Sequence, residues 1–213
     1  MTDDDYKFSL AGIRKKTKGT DKHSDLIKNQ INMLEAIILT IREVSKYGTE
    51  RQINDEINRR IRACQNILGM WGDRRSAILY FEETIRFSEV KDTKKFTVEH
   101  VIPISAAVKK YKDGGNIKEL ILNPVTLITR ESDDRLRKAQ LVKTGEDFDF
   151  PFRRYHKVGI KIKDLDAREI DCEAYTMEDH FALIRLVPEL QKVLDEMNSV
   201  SYTHLTLPTN REV

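Results

Sequence analysis

The order of hydrophobic and polar residues in the first half of the chain predicts helices. Across residues 24–48, isoleucine and leucine recur at three- and four-residue steps, which places them on one face of a helix. A second helix is predicted to begin after Thr49, because Thr49 and Gln52 form a capping-box pattern, and Gly69 can end it. Both apolar stripes are typical of helices that pack against a core.

A third helix is predicted to start at Asp73, and its apolar positions are Ile78, Phe81 and Ile85. Residues 24–90 are therefore predicted to form a helical N-terminal part. Residues 1–23 are polar and are predicted to be a loose segment.

The pattern then changes to that of short strands. The segment 96-FTVEHVIPIS-105 is rich in strand formers, and a polar loop is predicted over residues 109–116. A second strand is predicted over residues 125–129, followed by a charged helix from about Ser132. Residues 91–145 are thus predicted to contain a strand, a loop, a strand and a helix.

The first of these strands contains Glu99 next to His100, and Pro103 restricts it to a strand end or a sheet edge. Neighbouring side chains on a strand point to opposite faces. An acid and an imidazole that act together therefore need a twist, a bulge or a strand end between them. The alternative is a solvated edge charge beside a surface or core histidine.

The C-terminal part, residues 146–198, is predicted to hold a basic and aromatic segment and a closing helix. The aromatic and basic residues fall within 148–162, and the helix is predicted to begin at a capping-box pattern at Thr176, with a kink at Pro188. The tail 199–213 has no helical or strand period. It resembles translated sequencing-adapter sequence, so we expect it to be non-native.

The composition is typical of a soluble protein. Charged residues make up 34% and hydrophobic residues 39% of the 213 residues, and no apolar run reaches the roughly 20 residues that cross a bilayer. The first ten residues lack the features of a signal peptide. Cys64 and Cys172 form no CxxC pair, which argues against a disulfide framework or a zinc knuckle. We therefore expect a cytoplasmic protein without a membrane partner.

The charge distribution is more informative than the net charge of +2. Residues 135–163 contain nine Lys or Arg against three acidic residues, and a second basic cluster occupies residues 14–18. A local excess of this kind is expected of a face that binds phosphates, although a solvated basic face gives the same pattern.

The acid–histidine pair, the later Asn123 and the helix that bears Asp134 resemble the HNH, or ββα-metal, endonuclease family. The resemblance covers residues 96–138. It implies an α+β fold in which a small ββα-metal nuclease centre is embedded among helices. It also implies a metal-dependent endonuclease that hydrolyses phosphodiester bonds of DNA.

The resemblance gives the residues of this centre their roles. His100 is expected to be the general base, for which an imidazole with a pKa of about 6.5 is suited. Glu99 and Asp134 are expected to hold a divalent metal, Mg²⁺ first and Mn²⁺ as the alternative, with Asp133 as the other candidate on the helix. Asn123 is expected to hold the loop that orients His100.

Six basic residues are expected to contact phosphates. They are Arg135, Arg137, Lys138, Arg153, Arg154 and Lys157. The expected partner is DNA, with RNA not excluded, and a homodimer is one way in which a single site per chain can cut both strands. A mobile element, a phage or a defence system is the expected setting.

Two other functions are compatible with the same sequence. One is a nucleic-acid-binding protein with a degenerate nuclease centre, which keeps the basic residues but binds no metal through Glu99. The other is a helical interaction protein in which residues 96–103 are an edge strand.

Overall fold

The computed structural model describes residues 28–36, 49–68, 78–85, 95–113, 115–141, 148–186, 190–191 and 193–195. In chain order, the helices and strands are α1 Glu50–Ile67, β1 Tyr80–Glu82, β2 Phe96–His100, α2 Ile104–Lys112, α3 Ile117–Ile121, β3 Val125–Thr129, α4 Arg130–Lys138, α5 Arg153–His156, β4 Ile162–Asp164 and α6 Met177–Arg185. Residues 28–36, 190–191 and 193–195 are also helical. The mixture of helices with a small mixed sheet is consistent with the predicted α+β class.

The four strands form one sheet in the order β2-β3-β1-β4. β2 and β3 are antiparallel, and their register runs without interruption from the pair Phe96–Thr129 to the pair His100–Val125. β1 lies parallel to β3 and antiparallel to β4. The strand predicted before Pro103 is confirmed, and it occupies the edge position that proline allows.

Both capping boxes that the sequence predicts are present. The Thr49 side chain accepts from the backbone N–H of Gln52, and the Gln52 side chain accepts from the backbone of Thr49 at the start of α1. Thr176 and Asp179 make the same reciprocal pair at the start of α6. These contacts satisfy N–H groups that have no partner inside the helix.

The prediction of a helix from Asp73 is wrong for the part that the structure describes, because Tyr80–Glu82 is the strand β1. All three of its residues are buried, since β1 lies between β3 and β4. A short apolar run that is buried on both sides has no period that separates a strand from a helix. The prediction of a wholly helical part over residues 24–90 is therefore also wrong at this point.

The loop predicted over residues 109–116 is shorter than expected, because α2 continues to Lys112. Pro103 lies at the N-cap of this helix, where its missing N–H has no cost. Ile104 and Val108, one helical turn apart, are both buried and hold α2 against the core. Residues 109–112, three lysines and Tyr111, thus form the last turn of a helix.

Some of the predicted features fall outside the described ranges. They are those for residues 1–23, the basic cluster 14–18, the start at Asp73, the kink at Pro188 and the tail 199–213. Among the residues that the structure describes, no helix has the length and apolar character needed to cross a membrane.

A buried hydrogen-bonded chain ties α6 to the sheet. His180 is fully buried; its Nε2 donates to the carbonyl of Leu122 at 2.7 Å, and its Nδ1 lies 2.7 Å from the Tyr80 hydroxyl. The Tyr80 hydroxyl also contacts the hydroxyl of Tyr175 at 3.1 Å. Both ring nitrogens are bonded in the neutral form, so protonation of Nδ1 would reverse the donor in the contact with Tyr80 and place a charge in the core.

We expect this network to make the fold sensitive to acid. Burial lowers the pKa of His180 to about 4, below the value near 6.5 of an unfolded chain, so the unfolded state takes up the proton first. The contribution of His180 is complete above about pH 6.5 and is lost as the pH falls towards 4, at up to about 1.4 kcal/mol per pH unit. Urea unfolding of wild type and His180→Gln between pH 7 and 4 should show a shallower pH dependence in the variant. Parallel curves for the two proteins would contradict this role.

Candidate active site

Asn123 holds the loop that follows His100. The side chain is fully buried; its Oδ1 accepts from the N–H of Ile102 at 3.3 Å and its Nδ2 donates to the carbonyl of Ile102 at 2.6 Å. The amide of Asn123 therefore satisfies both backbone polar groups of Ile102, which lies beyond the end of β2. The loop after β2 is fixed to the start of β3 by this side chain.

Replacement of Asn123 by alanine is expected to lower the free energy of unfolding by about 2–4 kcal/mol, because two buried backbone groups lose their partner. Asn116→Ala is a matched control: Asn116 is an exposed cap of α3 whose side chain accepts from the N–H of Lys118. Its loss should cost about 1 kcal/mol. Urea unfolding measures the loss of stability in both variants. If Asn123→Ala lowers the free energy of unfolding by no more than Asn116→Ala does, the loop-holding role is contradicted.

The carboxylate of Glu99 is bound on both oxygens. Arg154 Nη2 donates to Oε1, and the Tyr155 hydroxyl donates to Oε2. Burial raises the pKa of the Glu99 carboxyl, while Arg154 and Tyr155 act in the opposite direction. Glu99 is thus a half-buried acid whose charge is compensated by a neighbouring guanidinium.

The two aspartates of the helix α4 differ in exposure. The Asp133 side chain is 16% exposed and forms an ion pair with Arg137 at 2.9 Å. Its negative charge is one of the effects that raise the pKa of Glu99. Asp134 is exposed. Adjacent helical positions differ by about 100° in direction, so only one of the two can face the sheet.

His100 lies apart from Glu99. Its Nε2 is 2.6 Å from Oε1 of Gln65 in α1, its exposure is 7%, and burial lowers its pKa to about 3. The partners of Glu99 lie instead in α5. The regular register of β2 accounts for this, since no bulge separates the two residues and their side chains leave the strand on opposite faces.

The expectation that Glu99 and His100 converge on one cleft is therefore not met in this arrangement. Any joint action requires the imidazole to leave Gln65. The alternation of side chains along a strand requires a twist, a bulge or a strand end between the two residues. The pairing with β3 excludes the bulge, and His100 is the last residue of β2.

Arg154, expected to contact phosphates, is corrected by the structure. It is 6% exposed, and its guanidinium donates to Glu99, to the carbonyl of His100 and to the carbonyl of Leu141. These contacts join β2, the segment that follows α4, and α5. A side chain held in this way organises the interior and is not available to a phosphate on the surface.

The other expected phosphate contacts lie at or near the surface. Arg135 donates to the carbonyl of Val158 at 3.3 Å, which brings the end of α4 next to the turn after α5. Arg153 donates to the carbonyl of Glu173 and lies over the ring of Phe150 at 3.7 Å. Lys138, Lys157 and Arg137 are exposed. We call the residues Arg135, Lys138, Arg153 and Lys157 the basic surface.

Glu82, a buried acid at the end of β1, was not predicted from the sequence to belong to this region. Its Oε2 accepts from the N–H of Thr129 at 2.7 Å, and its Oε1 accepts from the hydroxyl of Ser132 at 2.8 Å. It therefore satisfies polar groups at the start of α4 and fixes the helix that presents Asp133. No local pattern reveals it, because Glu82 and Ser132 are 50 residues apart.

Glu99 and Asp133 have the chemistry that Mg²⁺ requires. Mg²⁺ is commonly held by one or two carboxylates, with water and substrate phosphate completing the shell. The positively charged guanidinium of Arg154 already binds Glu99. Among the described residues no group of three or more His, Cys, Asp or Glu could hold a metal ion. Of the two aspartates expected as ligands on α4, Asp133 is half-buried and Asp134 is exposed.

Comparisons of this chain with protein-family models, with curated proteins and with solved structures find no match. The functional conclusion therefore depends on the residues of the segment 96–138 and on the geometry of the site.

Proposed function

We propose that this chain is a metal-dependent endonuclease that hydrolyses phosphodiester bonds of DNA, with residues 96–138 as its catalytic centre. The observation that carries the proposal is the antiparallel pair β2–β3 followed directly by α4, with Asn123 fixing the loop after His100. This is the order of elements that the resemblance to ββα-metal nucleases implies. The charge of Asp133 also acts on the pKa of Glu99, which supports assigning both carboxylates to one centre.

In this proposal each residue has a defined task. Glu99 and Asp133 would hold Mg²⁺ or Mn²⁺, which stabilises the charge that develops on the leaving oxygen when it is bound. His100 would accept the proton of the attacking water, after its imidazole exchanges Gln65 for that water. Asn123 keeps the loop in place during this exchange.

The basic surface is proposed to bind the nucleic-acid backbone. Replacing both Lys138 and Lys157 by glutamine should weaken DNA binding and reduce the slope of log affinity against log salt by about 0.9 for each phosphate that the protein no longer neutralises. Lys109→Gln, an exposed lysine on α2, serves as the control and should leave the slope unchanged. Fluorescence anisotropy at several salt concentrations measures the slope. An unchanged slope in the double variant would move the interface to another part of the chain, such as residues 14–18.

A second function, nucleic-acid binding without cleavage, is favoured by a different observation. Arg154 and Tyr155 occupy both oxygens of Glu99, and His100 is buried against Gln65. A centre that stays in this arrangement holds no metal through Glu99 and presents no base to a substrate. It would retain the basic surface and therefore DNA affinity.

Incubation of the purified chain with supercoiled plasmid, with Mg²⁺ and with EDTA, tests the proposal. The endonuclease proposal predicts nicked or linear DNA only with the metal. Binding of the plasmid without any cleavage would reject it in favour of the second function. Absence of both binding and cleavage would reject both.

A further inference from the structure

The carboxylates proposed to hold the metal are already neutralised by two guanidinium groups. Arg154 binds Glu99, and Arg137 binds Asp133. Two negative and two positive charges therefore balance within the cluster. A divalent cation added to this arrangement would leave an uncompensated charge of +2 in a half-buried space, which is costly in a medium of low dielectric.

The two arginines differ in how easily they can move away from the carboxylates that they bind. Arg137 is 64% exposed and can turn into solvent. Arg154 is 6% exposed and binds two other segments of the chain, β2 and the segment that contains Leu141. Its displacement from Glu99 is therefore the step that a metal must bring about.

Two buried polar atoms beside Glu99 lack a partner among the described residues. They are Nε of Arg154 and Oγ1 of Thr126. Thr126 is fully buried and lies directly opposite Glu99 in the β2–β3 register, so both side chains leave the sheet on the same face. Buried polar atoms are normally hydrogen-bonded, and an unsatisfied hydroxyl next to this carboxylate indicates a position for a further oxygen or ion.

We propose that Arg154 and a divalent cation compete for Glu99. In the chain without metal, the guanidinium occupies the place of the cation and keeps the loop after β2 in position through the His100 carbonyl. Glu99 and Asp133 would hold the metal, and Arg154 would have to leave Glu99 for it to bind; the hydroxyl of Thr126, which has no partner among the described residues, lies on that face of the sheet. Arg154 is thus a positioning residue that sets the metal affinity of the centre.

This inference deepens the metal site of the proposed function, and its test contains no nucleic acid. The Mn²⁺ dissociation constant of the folded chain is measured by electron paramagnetic resonance. Arg154→Met should bind Mn²⁺ at least tenfold more tightly than wild type, because Glu99 then has no competing cation. The double variant Glu99→Gln, Arg154→Met should lose this gain. Arg168→Met, an exposed arginine paired only weakly with Asp166 at 3.5 Å, should match wild type.

Removal of Arg154 leaves Glu99 buried without a counter-charge, so a second variant is included in case Arg154→Met does not fold. Arg154→Lys keeps a positive charge but has a single ammonium in place of the guanidinium fork, and it should bind Mn²⁺ at least threefold more tightly than wild type. A dissociation constant equal to that of wild type in whichever variant folds would overturn the inference.

The outcome is distinguishable from that of the plasmid assay. Tighter Mn²⁺ binding without plasmid cleavage would support the competition while rejecting the endonuclease. Cleavage with Mg²⁺ combined with unchanged Mn²⁺ affinity would support the endonuclease and reject the competition.

Discussion

Replacement of His100 by alanine is expected to reduce the plasmid cleavage rate by about 10²–10⁴-fold at saturating DNA, the range associated with the loss of a general base. DNA affinity should change by less than about twofold, because the His100 side chain is buried. Single-turnover cleavage and fluorescence anisotropy measure the two quantities. Wild-type cleavage by the variant would remove His100 from the mechanism.

Two further variants separate catalysis from stability at this position. His100→Asn keeps a polar side chain facing Gln65 but lacks a base, so it should cleave as poorly as alanine. His156→Ala removes an exposed histidine that lies 3.6 Å from Glu173, and it should cleave at the wild-type rate. A melting temperature measured for each variant shows whether reduced cleavage follows from unfolding.

Replacement of Asp133 by alanine is expected to reduce Mg²⁺-dependent cleavage by about 10²-fold, as for the loss of a preorganised charge contact. Asp134→Ala should stay within about threefold of wild type, because Asp134 is exposed on the outer side of α4. The ion pair that Asp133 makes with Arg137 joins residues at i and i+4 and has an exposed arginine, so its loss should change the melting temperature little.

The two aspartates are adjacent and have the same chemistry, so each variant is the control for the other. Cleavage rates over a range of Mg²⁺ concentrations, together with melting temperatures, decide the assignment. The reverse pattern would return the ligand role to Asp134. Full activity in both variants would leave α4 without a metal ligand.

Features that depend on neighbouring residues could be predicted from the sequence. The capping boxes at Thr49 and Thr176 need only a pair of residues three positions apart. The strand of residues 96–100 follows from its composition and from Pro103, and strand alternation indicated that Glu99 and His100 need a twist, a bulge or a strand end to act together. Asn123 was expected to hold the loop after His100, and its side chain is hydrogen-bonded to the backbone of Ile102 in that loop.

Features that depend on contacts between residues far apart in the sequence could not be predicted. Arg154 and Glu99 are 55 residues apart, and a basic residue in an aromatic segment is read from sequence as a surface charge. β1 has no period of its own, since its place between β3 and β4 buries every residue. The choice between Asp133 and Asp134 likewise depends on where α4 begins. The structure starts α4 at Arg130, with Thr129 as the N-cap, two residues earlier than the sequence suggests.

The position of the metal is the most direct test of the proposed centre. Crystals of the chain grown with Mn²⁺ and a DNA oligonucleotide, measured near the manganese absorption edge, give an anomalous difference map that locates the ion. We expect a peak between the carboxylates of Glu99 and Asp133, with the guanidinium of Arg154 withdrawn from Glu99. A map without a peak at this position, in which Arg154 still binds Glu99 beside bound DNA, would contradict the proposed centre.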